Sequence, residues 1–379
     1  MVTLFITLRV LSDALIARFG LGARGSRLYR ASVILVAADV PVGICAIALL
    51  EWAGSPRLGW AVRHNAYVAL ATVAVALIIA LVIWRRAVHF AARPSTVTPE
   101  RAGRIAALLL LTIPAITALA ALPWVTYGSY RAYSPAGVTR WQVRVAGLPR
   151  AFEGLRVCCV SDLHLGPNAD ARTVRARLRP LARLKPDLIL FLGDYASTWP
   201  RGQHEAAEII AQQKAPLGVY AVLGNHDRWL GERNALRALR EAGVPALVNH
   251  SIALKRGGDT IYLAGLNDPF TGAADFNGAF EGIPEGACVI LMSHTPDIIE
   301  EAKARGAALV VAGHTHGGQV CLPFLGALIA RSEYGRRYAH GLFYRGRTAL
   351  FVTRGVGEIA PYIRFNCPRE IAVLTLRRR

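Results

Sequence analysis

The chain has 379 residues, is 53% hydrophobic and carries a formal net charge of +19. That length allows one to three domains, and so apolar a composition is unusual for a soluble enzyme. The basic excess has no stripe of interleaved aromatics, which argues against nucleic acid as a partner, and the six cysteines form no disulfide framework.

The apolar excess lies at the N-terminus. Residues 31–50, 65–84 and 105–125 are mostly apolar runs of about 20 residues, the length a helix needs to cross ~30 Å of hydrocarbon. Residues 1–19 are interrupted by Arg9, Asp13 and Arg18, which leaves open a fourth span, an interfacial helix or an uncleaved signal-like segment. Asp39 sits inside the first run, two residues before Pro41. A carboxylate there is costly and often functional, unless it is protonated or lies at a helix break.

Arginine counts give an orientation. Arg9, Arg18, Arg24, Arg27 and Arg30 precede the first run, and Arg85, Arg86, Arg93, Arg101 and Arg104 separate the second from the third. The intervening loop holds only Arg57 and Arg63. The rich segments should face the cytoplasm, which places everything after residue 125 on the outer, periplasmic face of the inner membrane. Arg131, Arg140, Arg144 and Arg150 count against this. Residues 1–150 carry +12 and residues 151–379 carry +7, so most of the excess is juxtamembrane, where it favours anionic lipid head groups.

Residues 126–151 read as a linker and first strand. From residue 152 to 379 short apolar runs alternate with helical stretches. Residues 155–160, 188–192, 219–223, 289–292 and 308–312 are short and bounded by glycine or polar residues, as buried strands are. Helical stretches fall at 171–184, 204–213, 233–242 and 296–305. Residues 252–256 and 260–264 flank Gly257-Gly258-Asp259, a hairpin signal, and residues 349–353 and 371–376 close the chain with strands. The class is α/β. Cys158 and Cys159, adjacent in one strand, should face opposite sides. Cys45 lies in an apolar run, Cys288, Cys321 and Cys367 are scattered, and a Cys321–Cys367 disulfide is open to a periplasmic domain but is not indicated.

Each of the five strand runs ends at a polar motif: Asp162-Leu163-His164, Gly193-Asp194, Gly224-Asn225-His226-Asp227, Ser293-His294 and Gly313-His314-Thr315-His316. Alone, an Asp after a strand reads as a helix cap or turn residue, and an isolated His as an ordinary surface or core group. His64, His89, His204, His250 and His340 stay with that reading. Five motifs in order, each behind a strand, do not. Their carboxylates, carboxamide and imidazoles suit Mn, Fe or Zn. They are too many for one tetrahedral ion and fit two ions sharing a carboxylate, the arrangement that clamps an in-line displacement at phosphorus. Gly193, Gly224 and Gly313 are expected to supply sharp turns before the ligands.

This order of motifs resembles the calcineurin-like metallophosphoesterase family. The string Gly313-His-Thr-His-Gly-Gly-Gln319-Val-Cys-Leu-Pro323 resembles its membrane-anchored bacterial branch. The resemblance runs from about residue 130 to the C-terminus. It departs at Arg369, where the family's closing motif has a second proline, a position expected to lie away from the metal motifs. The resemblance implies two sheets packed face to face with helices outside, an αββα domain behind N-terminal transmembrane helices. It implies two divalent ions: Asp162, His164 and His316 on the first, Asn225, His294 and His314 on the second, and Asp194 bridging. His226 would sit by the substrate phosphate, with Asp227 hydrogen-bonded to it and fixing its orientation.

The implied activity is hydrolysis of a phosphodiester or phosphomonoester at the membrane surface, by in-line attack of a hydroxide between the metals. A phosphorylated substrate, lipid-linked or free, and membrane lipids are the implied partners. An alternative is a pyrophosphatase acting on a nucleotide-linked lipid such as UDP-2,3-diacylglucosamine. A non-catalytic metal-binding scaffold is a third reading, against which the intact Gly-Asn-His-Asp motif speaks. A transporter or sensor would rest on Asp39 alone.

Overall fold

The computed structural model describes residues 135–167, 169–360 and 362–379. The chain divides into two compact units, Met1–Ser129 and Tyr130–Arg379. The apolar runs at 31–50, 65–84 and 105–125, residues 1–19, Asp39 and the arginine-based orientation lie outside the described residues. Among the described residues no helix is long and apolar enough to cross a membrane.

The central strand runs form the middle of two sheets because each buries both faces. In β1 (Gly137–Val145) and β2 (Arg156–Val160) side chains alternate between environments. Cys158 and Val160 face one hydrophobic cluster, Val157 and Cys159 another, as expected for the adjacent cysteines. β3 (Leu188–Phe191) repeats the pattern, with Ile189 and Phe191 on the first side and Leu188 and Leu190 on the second. β4 (Val219–Ala221) completes one edge, and the last strand, β13 (Glu370–Arg378), lies between β1 and β2. The first sheet has the order β1-β13-β2-β3-β4.

The second sheet contains β5 (His250–Arg256), β6 (Asp259–Gly265), β7 (Val289–Met292), β8 (Leu309–Ala312), β11 (Gly341–Arg345) and β12 (Thr348–Val352), in the order β11-β12-β8-β7-β6-β5. Ile261, Leu263, Ile290, Met292, Val311 and Phe351 pack with Val157 and Leu190 in the core between the sheets. Helices cover the outer faces. α1 (Ala171–Leu178), α3 (Pro200–Ala211) and α5 (Glu232–Glu241) bury Val174, Ile209, Ile210 and Leu239 against the first sheet. α7 (Ile299–Ala304) buries Ile299 and Ala302 against the second.

Several boundaries differ from the sequence expectation. The stretch 171–184 is two helices, α1 and α2 (Leu181–Leu184), because Pro180 has no N–H to continue the ladder. α3 starts at Pro200, four residues before the expected 204, with proline in the first turn. The stretch 296–305 opens as a 3-10 turn, Pro296–Ile298, before α7. The β5–β6 turn is Gly257-Gly258 alone, with φ of 55° and 84°, the two positive values of a type I′ turn; Asp259 is already in β6. Unforeseen were α4 (Asn225–Trp229), α6 (Phe276–Phe280), β11 and the short pair β9 (Cys321–Leu322) and β10 (Gly326–Ala327).

Candidate metal centre

β2, β3 and β4 run parallel, as do β7 and β8. Their carboxyl ends carry the motifs, the usual place for a ligand site in open α/β sheets. Asp162 and His164 follow β2, Asp194 follows β3, and Asn225, His226 and Asp227 open α4 after β4. His294 follows β7, and His314 and His316 follow β8. The first sheet thus supplies the carboxylates and the carboxamide, and the second supplies three of the imidazoles.

The glycines do not make all the turns assigned to them. Gly193 has φ of 91°, but Gly224 and Gly313 are not left-handed. The left-handed conformations fall on Asp162, His164, Asp194, His314 and His316, with φ between 49° and 68°. Such conformations in non-glycine residues persist only where the surroundings enforce them, and they gather at functional sites. Gly224 and Gly313 are needed for space. A Cβ on Gly224 would fall on the Asp194 carboxylate, and one on Gly313 would fall on the Ser161 side chain and 2.9 Å from Asp162 Oδ2.

Two groups of donors form around Asp194. In one, His164 Nε2 lies 3.1 Å from His316 Nε2, 3.5 Å from Asp194 Oδ2 and 3.9 Å from Asp162 Oδ1. His316 Nε2 lies 3.5 Å from Asp162 Oδ1. In the other, His294 Nε2 lies 3.3 Å from the same Asp194 Oδ2 and 3.2 Å from His314 Nδ1. Asp162, His164 and His316 can hold one ion, and Asp194, His294 and His314 another. His226 reaches His164 and Asp194 in a further grouping. Asn225 is buried at the head of α4, beside His226, whose backbone N–H donates to Asp194 Oδ1 at 2.9 Å.

These contacts fit cations. The side-chain oxygens Asp162 Oδ1 and Asn225 Oδ1 are buried with no hydrogen-bond partner, a state proteins rarely leave uncompensated. Burial, with neighbouring imidazoles second at His314, holds His164 and His314 down at about 3; burial, His164 and Arg364 hold His316 well below its usual range. All three therefore offer neutral lone pairs. Burial alone would lower His294, but the charge and hydrogen bond of Asp194 outweigh it and push it up to about 10. Burial likewise disfavours the Asp194 charge, and His294, His164 and His226 overcome it, holding this carboxyl well below the usual range. Asp194 is thus an anion whose compensating charge is the neighbouring imidazole or a cation in its place.

Hydrogen bonds set the rings. His294 Nδ1 donates to Leu192 O at 2.7 Å, which aims Nε2 at Asp194. His226 Nδ1 donates to Ser197 O at 3.2 Å, leaving Nε2 free. The expected bond from Asp227 to His226 is absent. The Asp227 carboxylate instead accepts the backbone N–H groups of Asp194 at 2.7 Å, Tyr195 at 2.9 Å and Gly224 at 2.9 Å. It is fully buried, and only backbone donors that close satisfy it.

Three features escaped the sequence reading. Trp229 lies three residues after His226 on α4, and its ring sits 5.0 Å from the imidazole; the helical spacing was the available signal. Phe270 stands 6.1 Å from Trp229 and 5.0 Å from His314. The third is an ion cluster. Glu358 pairs with Arg177 at 3.3 Å, with Arg364 at 3.6 Å and with Arg369, all buried. Arg364 also donates to His316 O at 3.2 Å. Arg369, expected to lie away from the metal motifs, is therefore one residue removed from the brace of His316. Cys321 and Cys367 are free, and both sulfurs contact Gly317 O, at 3.2 and 3.5 Å.

The family described as Calcineurin-like phosphoesterase matches residues 155–318. The metallophosphoesterase YkuE of Bacillus subtilis (strain 168) is 31% identical over 258 residues, covering 66% of this chain and 90% of that protein. Phosphodiesterase YaeI of Escherichia coli (strain K12) is 30% identical over 226 residues, covering 58% of this chain and 82% of that one. A "Transmembrane protein with metallophosphoesterase domain" of Danio rerio is 29% identical over 293 residues, covering 71% of this chain and 62% of that protein. The family uses divalent metals, and the Asp and His groups around Asp194 are of the kind that hold them. On the strength of the site and these relatives, the chain belongs to the calcineurin-like phosphoesterase family and is a metal-dependent phosphoesterase.

Proposed function

We propose that the protein cleaves a phosphodiester or phosphomonoester at a membrane surface with a two-metal centre. Asp162, His164 and His316 hold one ion, Asn225, His294 and His314 hold the other, and Asp194 bridges. The single observation carrying this reading is the convergence of His164 and His294 on one oxygen, Asp194 Oδ2, with Asp162 Oδ1 and Asn225 Oδ1, from the neighbouring strand ends, both buried without a hydrogen-bond partner. Two divalent ions supply an activated water and neutralise the non-bridging phosphate oxygens.

The chain's own groups do the rest. His226 is the one imidazole of the motifs that is not fully buried. With Nδ1 held by Ser197 O, its Nε2 is free to hold a proton against the substrate and to deliver it to the leaving alkoxide. Asp227 acts one step back: by gathering the N–H groups of Asp194, Tyr195 and Gly224 it fixes the bridging carboxylate and the turn that presents Asn225 and His226. Asn225 contributes a neutral oxygen, which limits negative charge where an anionic substrate must enter. Trp229 and Phe270 form an apolar wall at the mouth.

The membrane setting is supported by the three apolar runs of residues 31–50, 65–84 and 105–125 and by relatives named as transmembrane proteins. We place the chain in the branch of the family with the Gly-His-Thr-His-Gly-Gly-Gln string and read it as a multi-pass protein of the inner membrane, with the phosphoesterase unit on the outer face. Elemental analysis of the gently purified chain, with hydrolysis of bis(4-nitrophenyl) phosphate in added Mn, tests the core of the reading. Two ions per chain and turnover that a chelator abolishes are expected. A chain that binds none would refute it.

A further inference from the structure

The loop after His316 ends in an apolar projection. β9 and β10 pair antiparallel, Cys321 opposite Ala327 and Leu322 opposite Gly326, around the tip Pro323-Phe324-Leu325. Phe324 is fully exposed, Ile329 is 75% and Leu325 65% exposed, and Leu328 is about half exposed. Four large apolar side chains within six residues form a contiguous patch, of the kind that marks an interaction surface.

The projection is built, not frayed. Cys321, Ala327, Ala339 and Cys367 form a small core beneath it. Cys321 N donates to Phe365 O at 2.9 Å and Leu328 N to Val320 O at 3.0 Å. The Arg336 guanidinium donates to the carbonyls of Leu325 and Ala327, both at 3.3 Å. The fold therefore holds these side chains outward. It also sets the projection against the metal centre: a Cβ on Gly318, two residues after His316, would meet Ala327 Cβ at 2.5 Å. Trp229, 59% exposed, stands 5.0 Å from the His226 ring, and Phe270, 53% exposed, stands 5.0 Å from that of His314.

Charge selects the occupant. Exposed Arg331, Arg336 and Arg337 follow the apolar tip, with Glu333 the single exposed acid among them. An exposed apolar tip followed by exposed arginines, with an exposed tryptophan beside the His226 ring, matches the two layers of a bilayer interface: acyl chains below, anionic head groups above. A protein partner or a second copy would need acidic complementarity, whereas Arg331, Arg336 and Arg337 would face their own like in a symmetric pair. We infer that the β9–β10 hairpin inserts into an anionic lipid surface and holds the mouth of the metal centre at head-group level. This goes beyond the phosphoesterase reading, and it names the surface from which a lipid-borne phosphoester would enter.

The test uses the full chain, carrying Cys45→Ser so that an introduced cysteine is the accessible thiol, reconstituted in vesicles of phosphatidylcholine and phosphatidylglycerol. An environment-sensitive fluorophore on Phe324→Cys should emit at shorter wavelength and be quenched by lipids brominated on their acyl chains. The same label on Glu285→Cys, before β7 at the opposite end of the strands from the ligands, should not be quenched. Arg331→Glu with Arg337→Glu, or vesicles of phosphatidylcholine alone, should weaken the quenching at position 324. A label there that stays in water overturns the inference. So does one that shifts without lipid quenching, since residues 1–134 or a second copy then cover the hairpin. Hydrolysis of bis(4-nitrophenyl) phosphate by Phe324→Ser/Leu325→Ser/Ile329→Ser should equal that of the unaltered chain. A chain that hydrolyses nothing but is quenched loses the phosphoesterase reading and keeps this one.

Discussion

The two sheets hold their shares of the centre by different means. On the first sheet one carboxylate does most of the work: Asp227, two and three residues from Asn225 and Gly224, accepts three backbone N–H groups and fixes both Asp194 and the turn into α4. On the second sheet the loop His314–His316 has no carboxylate within its own motif, and its bond to one runs from His314 N to Asp162 Oδ2 of the first sheet, at 3.3 Å. Its brace is Arg364, held in turn by Glu358 together with Arg177 and Arg369, residues far away in sequence. On one side the bracing residue belongs to a motif; on the other the braces lie outside every motif. A short sequence pattern records the first and misses the second.

The largest effect should come from the residue both sides share. Asp194→Ala removes the oxygen on which His164 and His294 converge, at 3.5 and 3.3 Å. Metal content should fall from two ions toward none, and turnover with it. Asp162→Ala and His314→Ala should each lower one site and spare the other. Equal loss from all three would mean that the two donor groups are not separable.

His226→Ala touches the first-sheet side alone. It should leave metal content intact and reduce turnover by ~10²–10⁴-fold, the usual contribution of a positioned proton donor. Loss of an ion by elemental analysis would make His226 a ligand, as its approach to His164 and Asp194 permits.

The contrast explains what the sequence could and could not reveal. Strands β2, β3, β4, β7 and β8 were legible because each is a short apolar run ending in a motif, and burial of both faces leaves little freedom in the assignment. The donors were legible because they lie at strand ends. Of the three glycines expected to turn the chain before the ligands only Gly193 is left-handed; the other left-handed conformations fall on Asp162, His164, Asp194, His314 and His316, because the local signal for such a turn is glycine and tertiary contacts here override it. The Glu358 cluster was illegible: its arginines have no spacing, and a buried ion group reads in sequence as scattered surface charge. The hairpin at Phe324 was missed for the opposite reason, because apolar residues give no sign of facing outward.

Glu358→Ala attacks the second-sheet side. It leaves Arg177, Arg364 and Arg369 buried without their shared anion, and removal of one partner from a buried ion group costs about 3–5 kcal/mol. The denaturation midpoint should drop. Occupancy of the site holding His316 should fall more than that of the site holding His294, because Arg364 braces only the first. A stable variant with both ions in place would mean that the cluster is independent of the centre.

Asp227→Asn should be the mildest of the set. Burial and the neighbouring Asp194 charge already push this carboxyl up to about 7, so a neutral amide removes little favourable charge. What it loses is geometric: one oxygen remains for three N–H groups, and the new NH₂ meets donors where it needs acceptors. Unsatisfied buried groups of this kind cost about 1–3 kcal/mol. Asp227→Ala, which leaves no acceptor at all, should cost more. The amide variant should keep both ions and lose less turnover than His226→Ala, since His226 takes its orientation from Ser197 O and not from Asp227. A loss as deep as that of His226→Ala, with metals retained, would instead restore the direct pairing of Asp227 with His226 in the working enzyme.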